Sequence, residues 1–352
     1  MRYYKIVVSD PTGLKPTRTW TSLNSDGSYN SGAQNIEFDI PIASYATPLS
    51  AAYVRIWGVS LADISQANNF NNFNIEVYGG MSKGLPLANP SQQGLLVQGT
   101  IIQAFGNWLG TTQTLDLMIM PQAAPTNITL NWPKGTELIP AIKQTLLTAF
   151  GGAYSVDTSG IYEQSGFVLT EDQIGYFDNI AQFASFIKQV SSSIKPVFNA
   201  TGNHYAPPYS GMDILLQGNV IKLIDNSGVS SATPIQIQFG DLIGQPTWIG
   251  LYQLQFNCVL RADLTMGTFI TMPQVVFSTL PSSYSQYRQR SAFLGKFQIL
   301  GDNATIRHVG NFRQPDGQSW ITTINCVQVA AQPPQLNLVA PGNSGFGVGN
   351  VA

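Results

Sequence analysis

The sequence predicts a mainly β protein in which an α+β insert separates two related antiparallel β-domains. Three observations support this: apolar and polar residues alternate with period two over much of the chain, helical spacing is confined to the middle, and one strand motif occurs in both β-rich regions. Hydrophobic residues make up 43% of the 352 residues, which is enough for a packed core. Only 10% of the residues are charged, against about 25% in typical globular proteins.

The strand predictions follow the alternation along the chain. Residues 1–10 read as a first short strand, and five later segments place apolar residues on one side: 36–40, 74–77, 235–239, 252–260 and 320–326. The opposite side is mostly Gln, Asn and Thr, as on the exposed face of an antiparallel sheet. Such a face suits contact with another protein or the wall of a wet channel, and it is equally compatible with ordinary solvated surface.

Two long helices are predicted in the insert. Residues 136–150 have helical spacing with Thr136 as N-cap and Pro140 near the first turn, and residues 179–194 repeat the pattern with Asp178 as cap. A short helix is predicted at 59–67. A hairpin is expected from 213–216 and 220–224 around the Gly218-Asn219 turn, and residues 333–352 read as an irregular arm.

The motif that occurs twice divides the chain. Residues 100–108 and 305–312 both read as a strand that ends in Gly-Asn-aromatic, and each is followed by a loop and a second strand. The resulting division is a first β-domain at 1–123, a helical α+β insert at 124–208, a β-hairpin segment at 209–234, a second β-domain at 235–332 and an arm at 333–352.

Charge and hydropathy exclude several classes of protein. The 17 basic and 19 acidic residues give a net charge of −2 without a basic run, which argues against binding through DNA phosphates or anionic lipid. No window approaches about 18 consecutive apolar residues, the length of a membrane-spanning helix. The N-terminus does not have the pattern of a signal peptide. Because proteins usually keep surface charge to resist association, the sparse charge favours a surface built to associate.

The sequence predicts no catalytic, metal-binding or cofactor-binding residue and no cofactor. Catalysis by a Ser or Cys nucleophile usually needs a histidine base, and the only two histidines, His204 and His308, read as structural. Cys258 and Cys326 read as buried free thiols, with a disulfide or metal site as the alternative. No nucleophile-elbow or phosphate-loop motif is present.

Two other groups of residues could carry chemistry or contacts. Three carboxylate pairs could support glycoside hydrolysis, although a structural role is expected for each: Glu37/Asp39, Glu171/Asp172 and Asp213/Asp225. Glu171 and Asp172 follow Thr170 at a predicted helix start. The loop 278–292 contains the one basic and aromatic cluster, Tyr284, Tyr287, Arg288 and Arg290, and is either a contact element or solvated.

Residues 235–329 resemble the C-terminal part of baseplate hub proteins (tail tube adaptors) of contractile-tailed bacteriophages. The residues that carry the resemblance are 240–246 (Gly-Asp-Leu-Ile-Gly-Gln-Pro), the strand 252–260, Met272-Pro273, and 297–299 through 320–323. In the first half, 99–101 and 115–120 are similar to the family's strand-turn-strand pattern. Residues 131–135 (Asn-Trp-Pro-Lys-Gly) are similar to the start of its helical insert.

The resemblance implies two tube-protein-like antiparallel β-barrel domains in one chain. It further implies a homotrimer whose six barrels form a ring between the sixfold tail tube and the threefold central spike, in contact with other baseplate subunits. DNA would pass through the lumen without specific binding. The chain would be located in the virion baseplate after assembly in the host cytoplasm, without inserting into a membrane.

Two other functions compete with this one. A β-rich carbohydrate-binding or adhesin module could use Trp20, Trp57 and Trp108 as sugar-stacking surfaces. A tail-associated hydrolase could use a carboxylate pair, with Glu171 and Asp172 as the first pair to test. The predicted function is structural and non-enzymatic, with the hub as the leading hypothesis.

Overall fold

The computed structural model describes residues 1–42, 44, 51–82, 89–120, 127–161, 166–194, 209–217, 220–225, 233–250, 253–273, 295–300 and 305–330. The described chain is mainly β, with few helices. The first β-rich region contains β1 (Arg2–Ser9), β2 (Arg18–Thr21), β3 (Ile36–Ile42), β4 (Ala52–Trp57), α1 (Leu61–Ser65), β5 (Asn74–Met81), β6 (Gly94–Leu109) and β7 (Thr112–Met120).

The middle of the chain contains the two long helices and five short strands. These elements are β8 (Ile128–Trp132), α2 (Leu138–Ala149), β9 (Ser155–Gly160), β10 (Gln173–Phe177), α3 (Ile180–Ile194), β11 (Asp213–Gln217) and β12 (Val220–Ile224). The second β-rich region contains β13 (Ile235–Gln236), β14 (Thr247–Trp248), β15 (Gln253–Val259), β16 (Phe269–Thr271), β17 (Lys296–Gln298), β18 (Ile306–Asn311) and β19 (Trp320–Ala330).

Both β-rich regions belong to one 14-stranded sheet. Its central path runs β14-β15-β19-β18-β3-β4-β7-β6, and every neighbouring pair on this path is antiparallel. The path consists of two blocks with the same order: β3-β4-β7-β6 is the first block, and β14-β15-β19-β18 is the second. In each block the first two strands are neighbours along the chain, and so are the last two. The blocks join where β18 pairs with β3, a junction we call the seam.

The remaining strands extend the sheet at its flanks. β5 continues from β6 to β1 and β2, while β17, β16 and β13 extend from β19. Among the described strands the sheet has three ends, β2, β13 and β14, and no closed barrel is found within the described residues. The expected pair of barrels therefore stays a proposal.

The hydrophobic core has three clusters. One lies behind the first block, with Tyr4, Ile56 and Leu117 at its centre, and another lies behind the second block, around Phe256 and Phe297. The third is formed by the insert together with the segment that contains β11 and β12, and in it Phe183 of α3 contacts Trp132 of β8 edge to face. Among the described helices, none combines the length and the apolar character needed to cross a bilayer.

Local elements confirm several sequence predictions. The predicted short helix is α1, whose N-cap Ser60 accepts a hydrogen bond from the backbone N–H of Asp63. β11 and β12 form the predicted antiparallel hairpin; its turn, 218–219, lies outside the described residues. Gly151 and Gly152 follow α2 with positive φ, a conformation common at helix C-termini.

Both predicted caps of the long helices are wrong. α2 begins at Leu138, and the residue at its N-cap is Glu137, whose side chain makes no capping hydrogen bond; Thr136 lies one residue earlier, and its hydroxyl donates to the carbonyl of Pro133 at 2.7 Å. At α3 the capping oxygen is Oδ1 of Asn179, one residue after Asp178; it accepts the N–H of Gln182 at 3.0 Å.

Two other predictions are corrected. Glu171 and Asp172 precede the strand β10 and not a helix. The predicted strand 235–239 is limited to Ile235–Gln236, because the chain then makes a 3-10 turn over Phe239–Asp241. That turn is held by a capping box in which the Asp241 carboxylate accepts the N–H of Gln238 at 3.1 Å.

Candidate functional site

The candidate functional site is the outward face of the eight strands from β14 to β6, which we call the polar face. Strand alternation creates it: on β3 and β4 every second side chain is buried, while Glu37, Asp39, Tyr53 and Arg55 point the other way. The face therefore continues without a break across both blocks.

Two polar contacts cross the seam on this face. The Arg307 guanidinium of β18 donates to the Asp39 carboxylate of β3 at 2.7 Å, and the side-chain amide of Asn311 donates to Glu37 at 2.8 Å. The hydrogen bond to Asp39 raises the pKa of Arg307. Both carboxylates of the predicted pair Glu37/Asp39 thus bind the second block.

Asp116 of β7 is the centre of the polar face in the first block. Its side chain is fully buried and accepts hydrogen bonds from Arg55 at 2.5 Å, from Asn107 at 2.9 Å and from the Tyr53 hydroxyl. Burial favours the neutral acid, but the hydrogen bonds from Arg55, Tyr53 and Asn107 outweigh it, and the pKa of Asp116 lies below its usual value.

Apart from Arg307 at the seam, the polar face of the second block is neutral. The side-chain amide of Gln255 donates to Asn325 Oδ1 at 3.0 Å, and the Thr323 hydroxyl donates to Asn257 Oδ1 at 2.8 Å. The eight strands contain five charged residues, Glu37, Asp39, Arg55, Asp116 and Arg307, and each of them is hydrogen-bonded to another side chain of the face. The charges are therefore nearly balanced and bound within the face.

The sequence motif that occurs twice has the same structural role in both blocks. A Cβ on Gly106 would lie 2.5 Å from Ile64, and a Cβ on Gly310 would clash with the Phe38 ring, so each glycine lies beneath an apolar side chain. The following Asn107 and Asn311 each donate to a carboxylate on the polar face.

The aromatic residue that ends the motif differs between the blocks. Phe312 is buried, and the centroid of its ring lies 4.9 Å from that of Tyr4, whereas Trp108 is 63% exposed. The two copies therefore differ in what covers the end of the strand.

Two candidate nucleophiles and one candidate base lie in the core of the second block. Cys258 and Cys326 are buried free thiols, and burial raises the pKa of both, that of Cys258 to about 12. His308 is buried too. Its Nδ1 lies 2.9 Å from the Thr322 hydroxyl, and burial lowers its pKa to about 3. All three side chains are placed as packing groups.

The other carboxylate pairs are engaged in local contacts. Oδ1 of Asp172 accepts the N–H of Lys134 at 2.7 Å, with Glu171 beside it in an exposed loop. Asp213 forms a 3.2 Å ion pair with Lys188, and the buried Asp225 accepts a hydrogen bond from Tyr209 at 3.3 Å. Within the described residues, no three His, Cys, Asp or Glu side chains are grouped to hold a metal ion.

The three tryptophans proposed for sugar stacking differ in exposure. Trp20 is half-buried and packs against Phe70, while the Arg55 guanidinium lies 5.6 Å above the Trp57 ring. Only Trp108 of the three is largely exposed. His204, the loop 278–292 and the arm 333–352 lie outside the described residues.

Sequence analysis missed two groups that organise the site. Asp116 lies between Leu115 and Leu117 in an alternating strand, a pattern that could have placed it on the polar face opposite Arg55. Arg261 is also buried and pairs with Asp241 at 3.1 Å and Asp263 at 2.6 Å, while Gln92 of the first region donates to Asp241. This network ties the two β-rich regions together.

Comparison with known proteins gives similar solved structures only. No protein-family model matches the sequence, and no curated protein matches it. The chain is similar to a tail protein from Neisseria meningitidis MC58, with TM-score 0.47, 9% identity and coverage of 93% of this chain and 96% of that one.

Two further similar structures are prophage tail proteins. The 43 kDa tail protein of prophage MuSo2 from Shewanella oneidensis has TM-score 0.47 and 9% identity, with 92% of this chain and 97% of that chain covered. Tail protein gp18 from Listeria monocytogenes EGD-e has TM-score 0.41 and 8% identity, with 92% and 94% covered.

Proposed function

We propose that this chain is a structural, non-enzymatic protein of a phage tail: a trimeric baseplate hub that joins the sixfold tail tube to the threefold central spike. The observation that carries the proposal is the tandem of two identically ordered four-strand blocks in one sheet. A chain with two equivalent blocks presents six blocks when three copies assemble, so it can contact a sixfold partner on one side and a threefold partner on the other.

The polar face supports a role as the wall of the DNA channel. Proteins that hold DNA do so through basic groups that neutralise phosphates. Here the two arginines of the eight strands, Arg55 and Arg307, are paired with Asp116 and Asp39. A wall of paired charges and amides lets DNA pass without specific binding.

The proposal includes the domain division given by the sequence. Each β-domain, 1–123 and 235–332, would form a tube-like barrel within the ring, with the insert 124–208 and the hairpin 209–234 outside it. The partners would be the tail tube protein, the central spike protein and other baseplate subunits, in a virion assembled in the host cytoplasm.

Native mass spectrometry tests the assembly. We expect a species of three chains that binds the tail tube protein and the spike protein of the same particle. A monomer at micromolar concentration, together with absence of the chain from purified virions, would refute the hub. A species of six chains would point to the tail tube itself.

A further inference from the structure

Part of the edge of β6, the last strand of the first block, is not paired with any described strand. The outer side of β6 is covered by β5 as far as Thr100, and the N–H of Ala104 donates to Oδ1 of Asn71 at 2.7 Å. Because backbone N–H groups alternate in direction along a strand, those of Gly106 and Trp108 point to the same side. Among the described residues, no strand pairs with that side beyond Ala104.

The second block shows what covers the equivalent edge. β18, the counterpart of this part of β6, pairs with β3 over its whole length, and the N–H of Phe312 donates to the carbonyl of Ile36 at 2.9 Å. Phe312 is 7% exposed, whereas Trp108, which ends the same motif, is 63% exposed. Within this chain, the last strand of one block is therefore covered by the first strand of the next.

The first strand of the second block, β14, lies at the opposite end of the eight-strand path from β6. Among the described strands, β14 pairs with β15 alone. The segment before β14 continues this edge, since Leu242 is bridged to Cys258 much as Phe38 of β3 is paired with Val54. Two large apolar side chains flank this edge. Phe239 is 58% exposed and Ile249 is 49% exposed.

We propose that the β6 edge around Trp108 in one copy binds the 239–249 edge of a second copy of this chain. The contact repeats the pairing of the seam, now between two chains. Trp108 packs against Phe239 and is covered there, as Phe312 is covered within the chain by Tyr4 and Trp320. This inference rests on the proposed trimer and deepens it by naming the interface. Because the contact joins two different edges, it is head-to-tail, and three such contacts close a ring of six blocks.

Size-exclusion chromatography with light scattering tests the interface on full-length variants. Truncation of a buried aromatic anchor weakens binding strongly, so we expect Trp108→Asp and Phe239→Lys each to raise the dissociation constant by about 100-fold. Ile174→Asp is the matched control, since Ile174 is 80% exposed on β10 of the insert; it should leave the trimer intact.

Cysteine cross-linking provides a measurement that does not require dissociation. Oxidation of a mixture of Trp108→Cys chains and Phe239→Cys chains should join one to the other, with neither variant cross-linking to itself. The native thiols are buried and should stay unreactive.

The results separate the two proposals. A wild-type trimer that survives Trp108→Asp and gives no mixed cross-link would overturn this interface and leave the hub standing. Cross-links between two Trp108→Cys chains would overturn the head-to-tail arrangement. A wild-type chain that stays monomeric would refute the trimeric hub, and the interface with it.

Discussion

At the scale of single residues, burial separates the two ion pairs of the polar face. The Asp116 side chain is fully buried with four hydrogen-bond donors around it, the fourth being the Thr114 hydroxyl at 3.5 Å, whereas Asp39 and Arg307 are 41% and 55% exposed. We expect Asp116→Ala to lower the free energy of unfolding by about 2–3 kcal/mol, because donors that lose a buried partner keep their desolvation cost. Asp39→Ala should lower the free energy of unfolding by at most about 1 kcal/mol, because ion pairs exposed to solvent contribute little to stability. Urea denaturation of both variants measures the difference, and equal losses would contradict this account.

His308 predicts a dependence of stability on pH. Its folded pKa of about 3 lies below the unfolded value near 6.5, so the unfolded chain binds the proton first as the pH falls. Stability contributed by the neutral ring is complete above pH 6.5 and is lost towards pH 3, at about 1.4 kcal/mol per pH unit.

Chemical denaturation between pH 5 and pH 7 checks this prediction. The free energy of unfolding of the wild type should fall by about 2 kcal/mol between pH 6.5 and pH 5. That of His308→Gln should fall much less over the same range. His204→Gln is the comparison variant, because it removes the other histidine and shows whether the slope belongs to His308. A wild-type slope unchanged by His308→Gln would assign the titration to another group.

At the scale of elements, the glycine of the strand motif allows close packing across the seam. A side chain at Gly310 would overlap the Phe38 ring of β3, whereas a methyl group added at Gly317 in the following loop would meet nothing within 4 Å. Gly310→Ala should destabilise the fold by about 1–3 kcal/mol, the usual cost of overpacking. The midpoint of thermal unfolding should change little for Gly317→Ala. An equally small change for Gly310→Ala would argue against tight packing at the seam.

The alternation of apolar and polar residues made most strands of the sheet predictable. Local hydrogen bonds explain the predictions that were wrong, namely the helix caps and the strand at 235–239. The strands around Phe38, Phe256 and Ile324 follow from period-two patterns that the core requires. The caps at Thr136 and Asp178 were wrong, because the choice between adjacent polar residues depends on loop geometry that a sequence does not show. The strand predicted at 235–239 was shortened because Asp241 caps the turn from a position fixed by Arg261.

At the scale of the whole molecule, the motif at 100–108 and 305–312 predicted a duplication but not the seam. Pairing of β18 with β3 joins residues about 270 positions apart in sequence, and nothing in the local pattern of Arg307 or Asp39 identifies the partner strand. The polar face was predicted strand by strand, yet its continuity depends on this pairing. The sequence could therefore indicate two β-domains, while the single sheet and the edges of β6 and β14 that no described strand covers required the structure.

The proposed channel wall predicts how added charge would change DNA binding. In the trimer, Gln255→Lys with Thr323→Lys would place six new charges on the polar face, where the native side chains are hydrogen-bonded amides and hydroxyls. Duplex DNA bound by this variant should show an affinity that falls with salt, with a log-log slope of about −0.9 for each phosphate contacted. Fluorescence anisotropy with a short duplex should detect no binding by the wild type.

Thr129→Lys with Asn131→Lys adds the same charge on the exposed side of β8 and should bind DNA much more weakly, because charges outside the ring do not surround the duplex. Equal binding by the two lysine variants would place the polar face outside a channel, even if the chain is a trimer.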